Sequence, residues 1–454
     1  MKKAVNTTTI PWVRRLCRKT ILLVALVVSN LTLALGQSAG SHSEAQPVTT
    51  LADSLKRAEN TQLHIFYVHG MAFDGPNHSD SAVLRKSICK FLRDCTRPTG
   101  EFDGREYADR DKFALDTPPP QLAYVGQQVW SGKEWNAAAP FVDHWKLVRH
   151  NAPTIYIDEI NWWPLVFAVK CRLIIAKDAE YVGPTATYID SCSSSQPDGR
   201  TPGRYLSYSW IDPSDAQRLK ALPARGALLN RRFKNYVLDW GFTDAVLAVG
   251  PMRSLLLEGI RQVVLKSVRV AADGSRGGAV EPSPNQEFVI VSHSLGSYLI
   301  FSALDLDLTE SDGSKMQRWK KEFAEILSRT STVYFFANQL RLLELANVDV
   351  TNRKNMVQHL EAWGLLRRQY LDSLNLPSRN AVSPPQIVAW GDPSDLLTWS
   401  VPELTTVVVK NRYVKNATHW FWLFESPTGA HRNYDANKSV IRAMFKPTND
   451  SKTR

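Results

Sequence analysis

The chain has 454 residues, 44% of them hydrophobic and 22% charged. That balance excludes a disordered, collagen-like or disulfide-scaffold protein and leaves ample apolar material for a sizeable core. Of the formal net charge of +11, Lys2, Lys3, Arg14, Arg15, Arg18 and Lys19 supply six before residue 20, and the mild excess left is a weak argument for nucleic acid as partner.

The first predicted element follows that basic stretch. Ile21 to Leu35, ILLVALVVSNLTLAL, is mostly apolar, and Ala34-Leu35-Gly36 and Ser38-Ala39-Gly40 each offer a small-x-small cleavage site. A basic flank, a short apolar run and a small-residue exit describe a signal peptide over residues 1–36. The alternative is an uncleaved N-terminal anchor, although fifteen residues is short for a bilayer crossing. On either reading the body is exported (secreted or periplasmic) or anchored to the membrane. Residues 37–60, polar and small, read as a linker.

From residue 61 short apolar strands alternate with helical spacing. QLHIFYVHG (62–70) reads as a strand closed by glycine, SAVLRKSICKFLRDC (81–95) as a helix, and 97–120, with Pro118-Pro119-Pro120, as loop. TIYIDEI (154–160) is a strand, and the bulky NWWPLVFAVKCRLIIA after it is helix-like. Residues 192–203 are loop, 237–270 largely helical and 271–286 a flexible approach to EFVIVSHSLGSYLIFSA (287–303), strand then helix. Strands follow at 331–337, in 385–395 and at 404–414, with helices at 355–374 and 437–445. The alternation predicts an α/β fold with a mostly parallel central sheet, helices on both faces and an inserted cap region within 97–240.

Outside the leader, which holds Cys17, the cysteines number four: Cys89, Cys95, Cys171 and Cys192. In an oxidising compartment they allow two disulfides in three pairings. Cys89 and Cys95 lie six apart on a predicted helix and face opposite sides of it, which argues against their pairing unless it unwinds. No Cys-x-x-Cys or neighbouring His pair has ligand spacing, so no metal and no cofactor is expected.

The chemistry gathers at strand ends, where the active sites of such folds lie. Ser292-His293-Ser294-Leu295-Gly296 is a G-x-S-x-G turn with serine in place of the first glycine. Smallness is what the outer positions require, because strand and helix backbones nearly collide there. The bend lifts the Ser294 hydroxyl clear of the sheet and aims the Leu295 amide at a developing oxyanion. Tyr67 to Met71, YVHGM, ends a strand in His-Gly and offers the Met71 amide as second donor. Downstream, AWGDPSDLLTW carries Asp395 and its rival Asp392, and GAHRNYDANKSVI carries His431. Serine, acid and histidine in that order suit nucleophilic catalysis with an oriented base. His419, flanked by aromatics, and His293 and His69 read as packing or loop-holding residues.

These motifs resemble the α/β-hydrolase superfamily, specifically its lipase and esterase branch, over residues 61–446. The resemblance implies about eight sheet strands and two-step acyl transfer through a seryl ester. Carried over, Ser294 is the nucleophile, His431 the general base and then acid, Asp395 its orienting partner (Asp392 the alternative), and Leu295 and Met71 the oxyanion hole. The implied substrate is a small-molecule or lipid ester. Trp162, Trp163, Leu165, Val166 and Phe167 either form the core of the inserted region or make an acyl-binding cap that touches a membrane surface. The rival class is a catalytically inactive binding protein of the same fold. A nucleic-acid reading has only NRRFKNY (230–236) behind it, which a solvated face explains better.

Overall fold

The computed structural model describes residues 50–57, 63–71, 81–93, 140–147, 155–183, 186–193, 210–250 except 226, 228, 229, 232 and 233, 252–269, 287–303, 323–345, 355–373, 385–416, 419–420, 424–425 and 430–446. The expected leader, and the stretches 97–120 and 271–286, lie outside them. Among the described residues no helix is long and apolar enough to cross a membrane.

Seven strands form the main sheet: β1 (Leu63–Val68), β2 (Phe141–Leu147), β3 (Ile155–Asn161), β4 (Glu287–His293), β5 (Thr330–Phe336), β6 (Gln386–Gly391) and β7 (Val408–Tyr413). Their spatial order is β2-β3-β1-β4-β5-β6-β7. Six run parallel, and β2 lies antiparallel to β3 at one edge. Parallel strands covered on both faces have no side turned to water, which accounts for the apolar runs of β1 and β4 and for the complete burial of β3 and β5, whose Asp158, Glu159, Asn161, Thr330, Ser331 and Thr332 are buried with their apolar neighbours. Alternation within β1 divides the core: Phe66 and Val68 join one apolar cluster, while Leu63, Ile65 and Tyr67 join the other.

Helices cover both faces. On one, α5 (Arg253–Arg269), α6 (Leu295–Ala303) and α7 (Met356–Ser373) pack in sequence across the sheet. On the other, α8 (Lys438–Phe445) packs against α1 (Leu51–Arg57) and α2 (Ala82–Leu92). The molecule is therefore of the α/β class. The chain leaves β1 for β2 and β3 on one side and returns to β4 on the other. That reversal makes the carboxyl ends of β1 and β4 a topological switch point, the place where ligands bind in open sheets of this kind.

Three sequence expectations change here. Residues 51–57 belong to the fold rather than to a linker. Thr50 and Asp53 cap α1 reciprocally, backbone N–H to side-chain oxygen at 2.8 and 3.2 Å, and Leu51 and Leu55 are buried. The helix over 81–95 ends at Leu92, where Arg93 turns left-handed with φ 61°. The geometric objection to pairing Cys89 with Cys95 therefore lapses. Cys89 is disulfide-bonded, and Cys95 lies outside the described residues. Cys171 and Cys192 form a disulfide.

Between β3 and α5 the described chain is largely helical, including α3 (Trp163–Lys170), π-helical Cys171–Ile175 and Lys234–Phe242, and α4 (Thr243–Val249). Its apolar residues share one cluster with Phe66, Val68 and α6. Trp162, Trp163, Leu165, Val166 and Phe167 are all buried in it, which makes them core and takes them off the surface.

Candidate functional site

The bend after β4 is built as its sequence demands. Ser294 has φ 53°, a left-handed conformation that costs a non-glycine residue about 1–3 kcal/mol. Its N–H donates to the Phe336 carbonyl at the end of β5 at 2.7 Å, which holds the bend. Gly296 lies against β1: a Cβ there would sit 2.5 Å from the carbonyl oxygens of Val68 and His69. Gly70 is equally constrained, since its Cβ would meet the Ser294 Cβ at 2.8 Å. At the position of the missing first glycine, Ser292 is buried and its hydroxyl donates to Ser297 Oγ at 3.2 Å. A small side chain with a local partner fits where a glycine was expected.

Three side chains from three loops meet beside this bend. His431 Nε2 lies 2.8 Å from Ser294 Oγ, and His431 Nδ1 lies 2.9 and 2.8 Å from the two Asp395 oxygens. A carboxylate only accepts, so Nδ1 carries the proton, and Nε2 is left to accept from the serine hydroxyl. Asp395 also accepts from the Leu397 N–H at 2.9 Å and from the Thr398 hydroxyl. Burial pushes its carboxyl up, but the hydrogen bonds from His431, Thr398 and Leu397 outweigh burial and hold it below the ordinary carboxylate range.

Asp392 is occupied elsewhere. Its oxygens accept from the Ser394 N–H at 2.9 Å and the Asn416 N–H at 2.6 Å, so it shapes the loop. Tyr434, three residues past His431, accepts the Asp392 N–H at 2.8 Å and ties the histidine loop to the acid loop. Burial drives its phenol pKa well up, which keeps the hydroxyl neutral.

Leu295 opens α6, where the first amides of a helix have no intrahelical acceptor. Met71 follows Gly70 and is half-buried against the core. His69 braces that segment: its Nδ1–H donates to the Gly70 carbonyl at 2.8 Å, its ring stacks on Trp162 at 5.0 Å, and Trp162 Nε1–H donates to the His69 carbonyl at 3.1 Å. His419 opens a two-residue strand in register with Glu425, in a two-stranded sheet that is not hydrogen-bonded to the main one.

Two expectations are corrected. The Ser294 hydroxyl, expected to stand clear of the sheet, is enclosed: the residue is 1% exposed, and Asp395 and His431 are each 6% exposed. The bend does carry it past the strand end, but Gly70 and the His431 loop close around it. His293 is more than a packing residue. Its Nε2–H donates to the His431 carbonyl at 2.8 Å, its ring meets the His431 ring edge-on at 5.3 Å, and its Nδ1 faces Gly70. Burial first, then the charge of His431, lowers its pKa to about 3, so it stays neutral and keeps one tautomer. Nothing local distinguished this histidine in the sequence, because its partners are 138 residues away.

Searches against family models, curated proteins and solved structures each return no match for the chain. The reading of the site therefore rests on its own geometry.

Proposed function

We propose that the protein is a serine hydrolase of the α/β-hydrolase superfamily that cleaves a carboxylic ester through an acyl-enzyme intermediate. The observation that carries this reading is the unbroken chain Ser294 Oγ, His431 Nε2, His431 Nδ1, Asp395, each link at 2.8–2.9 Å. The site's place at the strand-order reversal, and a seven-stranded sheet with a single antiparallel edge strand, support it further. In this mechanism Ser294 Oγ attacks the ester carbonyl carbon while its proton passes to His431 Nε2. Asp395 stabilises the imidazolium, and the Leu295 and Met71 amides take the negative charge that develops on the carbonyl oxygen. Collapse breaks the bond to the alcohol, which leaves with the proton from Nε2. Water, deprotonated by the same nitrogen, then releases the acid and restores the serine. Exclusion of bulk water strengthens each of these contacts by lowering the local dielectric.

Labelling with a fluorophosphonate tests the reading. The wild type is expected to react covalently and Ser294→Ala not at all. Persistent labelling of the variant would remove Ser294 as nucleophile, and an unreactive wild type would favour the binding-protein alternative.

A further inference from the structure

The Asp395 carboxylate draws its other donors from its own loop. Oδ1 accepts from the Leu397 N–H at 2.9 Å and Oδ2 from the Thr398 hydroxyl, so each oxygen has one local donor besides His431. That symmetry leaves His431 Nδ1 nearly equidistant from the two oxygens, at 2.9 and 2.8 Å. Thr398 is in turn fixed by packing. A Cβ on Gly391 would meet the Thr398 Cγ2 at 2.8 Å, so the methyl fills the space that glycine leaves at the end of β6 while the hydroxyl reaches Asp395. The next residue, Trp399, is clamped to the chain after β5. Its N–H donates to the Asn338 carbonyl at 3.2 Å, and its own carbonyl accepts from the Asn338 side chain at 2.6 Å.

Behind Thr398 stands Tyr434, fully buried and stacked on Phe336, the residue whose carbonyl holds the Ser294 bend. The Tyr434 hydroxyl is hydrogen-bonded to the Thr398 side chain, and its oxygen accepts the Asp392 N–H at 2.8 Å. Donor counting fixes the direction of every link. A carboxylate only accepts, so the one hydroxyl hydrogen of Thr398 goes to Asp395. Thr398 can then meet Tyr434 only as acceptor, and the phenol hydrogen points to it. The chain runs one way, from the Asp392 N–H through Tyr434 and Thr398 to Asp395, and each hydroxyl polarises the next. We propose that Thr398 and Tyr434 are positioning residues, whose hydroxyls fix the Asp395 carboxylate in the orientation that His431 requires. The inference deepens the serine hydrolase reading and rests on it for its effect on rate. It gives the histidine loop a second use: the loop brings His431 to the serine and, three residues on, Tyr434 to the back of the acid. Packing alone would need neither hydroxyl, since a phenylalanine would stack on Phe336 and a valine would fill the space beside Gly391.

The test uses the full chain and reads the carboxylate before it reads the rate. At neutral pH the proton on His431 Nδ1 is expected to give a low-field proton NMR resonance that Asp395→Asn and His431→Gln each abolish. Thr398→Val, which keeps the shape and loses the hydroxyl, is expected to displace that resonance, whereas Thr398→Ser leaves it in place. Tyr434→Phe is expected to displace it in the same direction by less, so the outcome does not depend on one variant. Fluorophosphonate labelling is expected to slow about tenfold in Thr398→Val and to stay within about twofold of the wild-type rate in Thr398→Ser. A resonance unmoved in both Thr398→Val and Tyr434→Phe would overturn the proposal, as would Thr398→Ser behaving like Thr398→Val in either measurement. An unreactive wild type would overturn the hydrolase reading instead, and the resonance would then decide the hydroxyl chain by itself.

Discussion

Asp392 and Asp395 lie three residues apart on one loop, yet their surroundings separate them completely. Asp395 faces the His431 ring, whereas Asp392 is consumed by backbone amides of its own loop and of Asn416. An asparagine at 395 would offer an N–H to Nδ1, favour the tautomer with the proton on Nε2, and leave the serine without an acceptor. Asp395→Asn is therefore expected to lower kcat by on the order of 10³–10⁴ with little change in KM. Asp392→Asn should leave kcat within a few-fold and cost about 1 kcal/mol of stability through weakened loop hydrogen bonds. Steady-state kinetics and urea denaturation of both variants check this, and a larger kcat loss at 392 would assign the orienting role to the wrong aspartate.

At the scale of elements, the buried Lys170–Asp244 ion pair pins α4 to α3 from inside the protein. Burial pulls the Lys170 ammonium below its ordinary pKa, and the Asp244 carboxylate opposes that shift. A buried pair of this kind adds little over an apolar replacement, but either charge left alone is costly. Lys170→Met is expected to destabilise the protein by about 3–5 kcal/mol, and adding Asp244→Leu to recover most of the loss. Urea midpoints of the wild type, single and double variants decide the matter; a double variant as unstable as the single one would show that the pair does more than neutralise itself. The elbow helix α6 is bound by a different constraint, since Gly296 leaves no room for a side chain against β1.

At the scale of the whole molecule, the neutral state of His293 couples stability to pH. In the unfolded chain its imidazole titrates near the ordinary value of 6.5, whereas in the fold it resists protonation until about pH 3. As pH falls below about 6.5 the unfolded chain takes up the proton first, so stability is complete above that value and declines below it. The loss is at most about 1.4 kcal/mol per pH unit from this one group. His69 shifts in the same direction through burial. Comparing the wild type with His293→Gln, which retains a donor for the His431 carbonyl, isolates the His293 share. Urea midpoints from pH 7 to 4.5 are expected to fall more steeply for the wild type, and parallel curves would refute the assignment. Above pH 4.5 the Asp395 carboxyl, depressed in the fold, is mostly ionised in the unfolded chain too, so it adds little slope there.

Strand and elbow positions could be read from the residues because their causes are local. A parallel strand buried on both faces is mostly apolar, as β1 and β4 are, and a strand-to-helix bend must be made of small residues. The order Ser294, Asp395, His431 could be read for the same reason, each lying at the end of a strand or in a turn that its own neighbours announce. What the residues did not reveal depends on partners far along the chain. The antiparallel edge strand β2, the packing of α1 against α8, the Cys171–Cys192 bridge and the hydrogen bond from His293 to His431 all arise where distant segments pack. The same holds for the exposure of a hydroxyl and for which side of α4 faces the core. Sequence spacing sets which residues share a helix face, but only the packing of the remaining chain decides whether that face meets protein or water.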